Sequence, residues 1–265
     1  MIGNKYKRLW GKTPTLKSSY DAVIIGGGLH GLATAYFLAR DHNLSNVAVV
    51  EKRYIGFGGA GRNTAIVRAN QRTQENLPLY KEGLELWPVL TRELDFNLMF
   101  YNCGNLNLAH SEAALKAMRL AVGSAQFHGI DIEMVDRRQC KALIPLLDIS
   151  ERPRFPIQGG MFHGAGGILR HDAVVWGLAK GAAKRGVHIF QGTEVTGIET
   201  EGNKVTAVTT DQGRSNTPRV LNAAGGYSAD ISCRLAGIKL PISVLNIQAM
   251  ETPPRMQVLN HEVSS

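Results

Sequence analysis

Cysteine is scarce: three in 265 residues, Cys103, Cys140 and Cys233, odd in number and far apart. That spacing excludes both a disulfide framework and a C-x-x-C metal site. No apolar run approaches the roughly 18 residues that cross a bilayer, and the amino terminus lacks the apolar centre of a secretory signal. A reducing cytoplasm is the default compartment. A basic organelle-targeting leader over residues 1–19 is the alternative, and the absence of amphipathic periodicity there speaks against it. No internal repeat, low-complexity tract, helix-turn-helix or RNA-binding signature occurs. The formal charge of +8, much of it at Lys5, Lys7, Arg8, Lys12 and Lys17, therefore does not point to nucleic acid. His30, His110, His128 and His163 have no metal-ligand spacing and read as structural or solvent-facing.

With 44% hydrophobic residues the chain can bury a sizeable core, as one large domain or two intertwined ones. Its most informative stretch is residues 20–51. Asp21 to Ile25 is a short apolar strand, and Gly26, Gly28 and Gly31 fit the G-x-G-x-x-G spacing. Leu32, Ala35, Tyr36 and Ala39 then recur at helical intervals. Val47 to Val50 is a second strand ending in Glu51. In such a unit the first glycine permits the tight turn, the second admits a pyrophosphate to the backbone, and the third lets the helix pack on the strand. The helix amino terminus faces the phosphates. A carboxylate at Glu51 suits the two hydroxyls of an unphosphorylated ribose, hence FAD or NAD rather than NADP.

The rest reads as an excursion and a return. Glu75 to Leu94 is predicted helical, with Leu79, Leu84, Trp87 and Leu90 on one side and Pro88 as a source of a kink. Met99 to Ala109 follows as strand, Glu112 to His128 as helix, Ile130 to Val135 as strand and Arg137 to Ile144 as a short helix closed by Pro145. A Pro- and Gly-rich stretch, Ser150 to Gly167, leads to a helix over Asp172 to Arg185. Strands are predicted at Val187–Gln191, Glu194–Glu199, Lys204–Thr210 and Arg219–Asn222, with turns at Gly202-Asn203 and Gln212-Gly213. Leu235 to Met250 reads as further strands.

Two more motifs carry chemistry. Gly56 to Thr64 is a second glycine-rich loop, whose N–H groups together with Arg62 complement phosphate oxygens. Val220 to Ser228 is a buried strand running into small residues, which suits a backbone passing close to a cofactor.

Taken together, Asp21 to Glu51, Gly61-Arg-Asn-Thr-Ala-Ile-Val-Arg68, Asn105-Leu-Asn-Leu-Ala-His110, Arg170-His-Asp-Ala-Val-Val-Trp-Gly177 and Asn222-Ala-Ala-Gly225 resemble the D-amino-acid-oxidase-like flavoprotein superfamily. Within it they are similar to the beta subunits of heterotetrameric sarcosine oxidases. The resemblance runs from about Ser19 to Met250. It implies an α/β fold, a Rossmann-like FAD-binding domain with an inserted α+β substrate domain, incomplete at its carboxy-terminal side. The implied order is a basic leader 1–19, FAD-binding domain at 20–97 and 166–232, substrate domain at 98–165, and the start of its second part at 233–265. The implied reaction is oxidation of a secondary amine such as sarcosine by hydride transfer to noncovalent FAD, with electrons passed to FMN and oxygen alongside an alpha-like subunit.

The cofactor-binding residues implied are Gly26, Gly28, Gly31, Glu51, Lys52, Gly59, Arg62, Asn63, Thr64, Val195, Ala224 and Gly225. Arg68 matches the family arginine that binds a substrate carboxylate, its other reading being a structural ion pair. His171 matches the histidine that carries FMN covalently; the residues alone also read as a helix-terminal histidine beside a capping Asp172. Family members are longer and place a substrate-binding lysine in the part this chain lacks, and no general base is identified here. The chain is thus expected to be a fragment, a product of a broken gene or a divergent short form. The competing readings are a dye-linked proline or opine dehydrogenase subunit, an inactive truncated scaffold and, more distantly, an NAD-dependent dehydrogenase.

Overall fold

The computed structural model describes residues 13–70, 73–248 and 259–264. Lys5, Lys7, Arg8, Trp10 and Lys12 of the basic leader, and residues 249 and 250 at the end of the expected returning strands, lie outside them. In chain order the elements begin with β1 (Ala22–Ile25), α1 (Leu29–Asp41), β2 (Val47–Glu51), β3 (Ile66–Val67), α2 (Leu77–Glu93) and β4 (Asn105–Ala109). Next come α3 (Glu112–Phe127), β5 (Glu133–Val135), α4 (Arg137–Leu143), β6 (Gly159–His163), β7 (Gly167–Ile168), α5 (His171–Lys184) and β8 (His188–Gln191). The series closes with β9 (Val195–Glu201), β10 (Lys204–Thr210), β11 (Gly213–Asn216), β12 (Val220–Asn222), α6 (Ser228–Ala236) and β13 (Glu262–Ser264).

These elements form two compact units. Among the described residues, the first comprises 13–63, 94–96 and 171–248, and the second 64–70, 73–93, 97–170 and 259–264. The described residues of 64–93, expected with the first part of the nucleotide domain, thus lie in the second unit, and residues 233–248 in the first.

In the first unit a parallel sheet runs β12-β1-β2-β8. All four residues of β1 are buried, and α1 buries Gly31, Leu32, Ala35, Tyr36 and Ala39, the periodic face read from the sequence. Each large apolar side chain so buried is worth about 2 kcal/mol. Against α1 packs α5, where Gly181 matters: a Cβ there would come within 2.5 Å of Leu94 Cδ2 and 2.9 Å of the Tyr36 ring. An antiparallel meander, β9-β10-β11, shares a core of Tyr20, Val23, Phe190, Val195 and Val208 with the parallel sheet. Because the four parallel strands point one way, Gly26, Glu51 and Ala223 emerge together at their carboxyl edge, where open α/β sheets bind ligands.

The second unit holds a sheet ordered β13-β4-β6-β5 and a small β3-β7 ladder. Its helices are capped locally: Ser111 Oγ accepts the Ala114 N–H of α3, and Asp136 and Gln139 form a capping box on α4. Several expectations need correction. Met99 to Ala109 is strand only over β4, since Met99 adopts φ 53, outside the extended region. Leu79 of α2 is 70% exposed, while Leu77 and Leu90 are buried. β6 runs through the Pro- and Gly-rich stretch from Ser150 to Gly167, where no strand was expected. Residues 237–248 form no strand.

Candidate functional site

The turn between β1 and α1 is built around contacts that exclude side chains. Gly26 has φ +112, and a Cβ there would lie 2.4 Å from the Ala223 carbonyl oxygen. A Cβ on Gly31 would lie 2.0 Å from the Gly26 carbonyl oxygen. Gly28 differs: only Ala60 Cβ, at 3.8 Å, would touch it. It is the N-cap of α1, and no side chain caps that helix. The first-turn N–H groups, carrying the positive end of the helix dipole, thus meet open space above Gly28.

Glu51 is held in place. Its Oε2 accepts the Gly27 N–H at 2.9 Å and its Oε1 the Arg53 N–H at 2.8 Å. A carboxylate offers about four acceptor positions, so two stay available to hydroxyl donors. Gly27 was not singled out from the sequence. Its signal is steric, because a Cβ there would sit 2.9 Å from Glu51 Cβ.

The second glycine loop meets the first. The Gly56 N–H donates to the Gly27 carbonyl at 2.9 Å, and residues Gly59–Gly61 form a 3-10 turn without a side-chain cap. Nothing lies within 4 Å of a Cβ built at Gly58 or Gly59. Asn63 does not face outward for a ligand through its amide nitrogen, which donates to the Gly59 and Ala60 carbonyls. The Arg62 guanidinium carbon lies 4.0 Å from the centre of the Phe57 ring, and that of Arg53 lies 4.9 Å from the same ring. Phe57 was missed from the sequence, where an aromatic inside a glycine loop carries no spacing signal. Lys52 forms an exposed ion pair with Glu194 at 2.9 Å.

The Ala223 N–H donates to the Ile25 carbonyl at 2.8 Å, bringing the β12 turn beside the first glycine turn. Beyond it Ala224 and Gly225 (φ +57) lead into a 3-10 turn, and a Cβ at Gly225 would meet nothing within 4 Å. The Val195 side chain is buried in the core of this unit. His171 opens α5; its Nδ1 is buried and has no hydrogen-bond partner, while Asp172 Oδ1 accepts the Ala173 N–H. Gly26, Gly28, Gly31, Glu51, Gly59, Ala224 and Gly225 are therefore gathered at one sheet edge of the first unit. The open backbone over Gly28, Gly58, Gly59 and Gly225, the uncapped helix and the fixed acid fit a dinucleotide.

Thr64 and Arg68 belong to the second unit. Thr64 is exposed. Arg68 Nη1 reaches Ser264 Oγ at 3.4 Å, and that hydroxyl donates to Asn107 Oδ1 at 2.5 Å. Among the described residues, no helix is long and apolar enough to cross a membrane, and no cluster of three or more His, Cys, Asp or Glu could hold a metal ion.

The chain belongs to the FAD dependent oxidoreductase (DAO) family, whose model matches residues 21–264. Within that class it is 44% identical over 238 residues to the sarcosine oxidase subunit beta of Rhizobium meliloti (strain 1021), covering 90% of this chain and 57% of that protein. To the subunit of the same name from an Arthrobacter species it is 40% identical, covering 91% of this chain and 59% of that one. The chain thus spans somewhat over half the length of these curated relatives. Among solved structures it superposes on the L-proline dehydrogenase from P.horikoshii with a TM-score of 0.83 at 26% identity, covering 94% of this chain and 64% of that one.

Proposed function

We propose that the chain binds FAD without a covalent bond and forms the amine-oxidising part of a multi-subunit oxidase. Its substrate is a secondary-amine amino acid of the sarcosine class. The assembly is cytoplasmic, includes an alpha-like subunit, carries an FMN at His171 and uses oxygen. The observation that carries the reading is the side-chain-free edge at Gly26, Gly28 and Gly59 with Glu51 fixed beside it, in a chain 44% identical to a sarcosine oxidase beta subunit. Bound there, FAD supplies a hydride acceptor.

The residues divide the work. Main-chain N–H groups at the start of α1 and in the second glycine loop, with Arg62, hold the pyrophosphate, and Glu51 accepts the ribose hydroxyls. Val195, Ala224 and Gly225 contribute backbone to the same cofactor, and Lys52, Asn63 and Thr64 border it. Arg68 takes the substrate carboxylate in a fixed orientation, which sets where the amine and its neighbouring C–H lie. The unpartnered Nδ1 of His171 supports the flavin link, because no hydrogen bond occupies it.

A visible spectrum of the purified chain before and after acid precipitation tests this, with mass spectrometry of the peptide containing His171. The expected result is flavin bands, FAD released to the supernatant and FMN mass retained on that peptide. A colourless chain that takes up no added FAD overturns the reading and leaves an inactive scaffold. The superposition on L-proline dehydrogenase favours a second reading, a dye-linked dehydrogenase subunit; its mark is released FAD with no adduct at His171.

A further inference from the structure

Three buried polar atoms without partners lie in one line across the sheet of the second unit. Glu262 on β13 is the register partner of Asn105 on β4, and Asn105 is the register partner of His163 on β6. Register partners project from the same face of a sheet. Glu262 Oε2, Asn105 Nδ2 and His163 Nε2 are each buried with no hydrogen-bond partner. The other ends of two of these groups are committed: Asn105 Oδ1 accepts from Asn70 and Asn107, and His163 Nδ1 bonds the Asp131 carbonyl at 2.7 Å. Buried polar atoms are nearly always paired, so three orphans in a row mark a place where a polar ligand is expected.

Arg68 tells which end of a ligand comes here. It contacts Ser264, two residues along β13 from Glu262 and therefore on the same face. Its charge acts on Glu262, and among the described residues the two form no ion pair with each other. Alternate residues of a strand are about 7 Å apart. An α-amino acid spans such a gap with one hydrogen bond at each end, its carboxylate toward the guanidinium and its nitrogen toward the acid.

Resting on the reading of Arg68 as the carboxylate-binding residue, we propose that Glu262 receives the amine end of the substrate and takes the proton of its ammonium form. In that step an N–H bond of the ammonium breaks and an O–H bond on Glu262 forms. An ammonium and a carboxylate become a neutral amine and a neutral acid, with no co-reactant. The product is the free amine, the form from which a hydride can leave, and the exchange removes two charges from a partly dry site. The groups facing Glu262 are Arg68, Asn105 and, beyond it, His163. Burial raises the Glu262 carboxyl and Arg68 lowers it, burial being the larger effect. Burial lowers the His163 imidazole. His261, the residue just before the strand, turns its ring to the Cys103 carbonyl.

The test is calorimetric titration of the FAD-loaded chain at pH 7 with sarcosine and with methoxyacetate, which keeps the carboxylate and lacks the amine, in two buffers of different protonation enthalpy. Wild type is expected to bind sarcosine with no net proton release, the proton passing to Glu262. In Glu262→Gln, sarcosine should bind about tenfold or more weakly, as for loss of a charged hydrogen bond. It should also release about one proton to the buffer, as Gln cannot accept it. Methoxyacetate should be unaffected. Glu262→Asp, which keeps the carboxylate, should restore the proton balance, and it stands in if the Gln variant does not fold. Unchanged sarcosine affinity and proton count in Glu262→Gln sink this inference while leaving the role of Arg68 intact. Failure of wild type to bind either ligand overturns the reading of Arg68, and the inference falls with it.

Discussion

In the first unit the cofactor cradle is made almost wholly of main chain, with glycines admitting a ligand and one acid pinned by two N–H groups. In the second unit the polar row is made of side chains, drawn from three strands and held by register. The first arrangement is expected to lose function when a side chain is added, and the second when one is removed.

The largest effect expected from this contrast is in Gly26→Ala. Both the left-handed φ and the approach to the Ala223 carbonyl oppose a Cβ, and together they should cost about 3 kcal/mol in urea unfolding. Gly59→Ala, where a Cβ meets open space, should change stability by less than about 0.5 kcal/mol while weakening FAD binding. Equal stability of the two variants would break the distinction between structural and ligand-facing glycines.

A smaller effect should appear as acid sensitivity of the second unit. Burial lowers the His163 imidazole below its ordinary 6.5, so between those two values the unfolded chain binds more protons. Its contribution is complete above pH 6.5 and is lost as pH falls through the lower, folded value. His188 in the first unit shifts the same way, through burial and then Lys17. Glu262 acts oppositely, because its raised carboxyl favours the folded state at low pH and loses that contribution as pH rises past 4.5 to the folded value. Urea midpoints of wild type and His163→Gln at pH 7.5 and 5.5 should show a shallower acid decline in the variant; parallel declines would remove His163 from the account.

The smallest effect belongs to Phe57→Leu. Losing an exposed guanidinium–ring stack should cost at most about 0.5–1 kcal/mol in urea unfolding, and the loosened Arg62 should weaken FAD a few-fold in a fluorescence titration. No change in FAD affinity would show that the stack does not orient Arg62.

How much of this could be read in the sequence follows the same division. The first part of the cradle, from Ala22 to Glu51, lies in one short stretch of chain, its glycines occupying positions that local sterics dictate, so its strand, turn, helix and acid were legible to within a few residues. The row was not. Asn105, His163 and Glu262 meet only through strand register, and His163 alone reads as an ordinary histidine. β6 was hidden because strands seldom start with two glycines; here Gly160 passes so close that a Cβ would lie 2.4 Å from the Asn107 carbonyl oxygen. The apolar alternation after Leu235 misled in the other direction. It states what a strand would bury, and among the described residues no neighbouring strand pairs with 237–248.

The pairing of β13 with β4 has a consequence for biogenesis. Ser264 and Asn107, joined by a hydrogen bond, are 157 residues apart in the chain. At ribosomal speed β4 therefore waits on the order of ten seconds before the strand that covers its edge is made. During that interval a nascent chain displays an open row of N–H and C=O groups, the template on which β-aggregation starts. Late covering of that edge during synthesis is thus a property written into the strand order of the second unit.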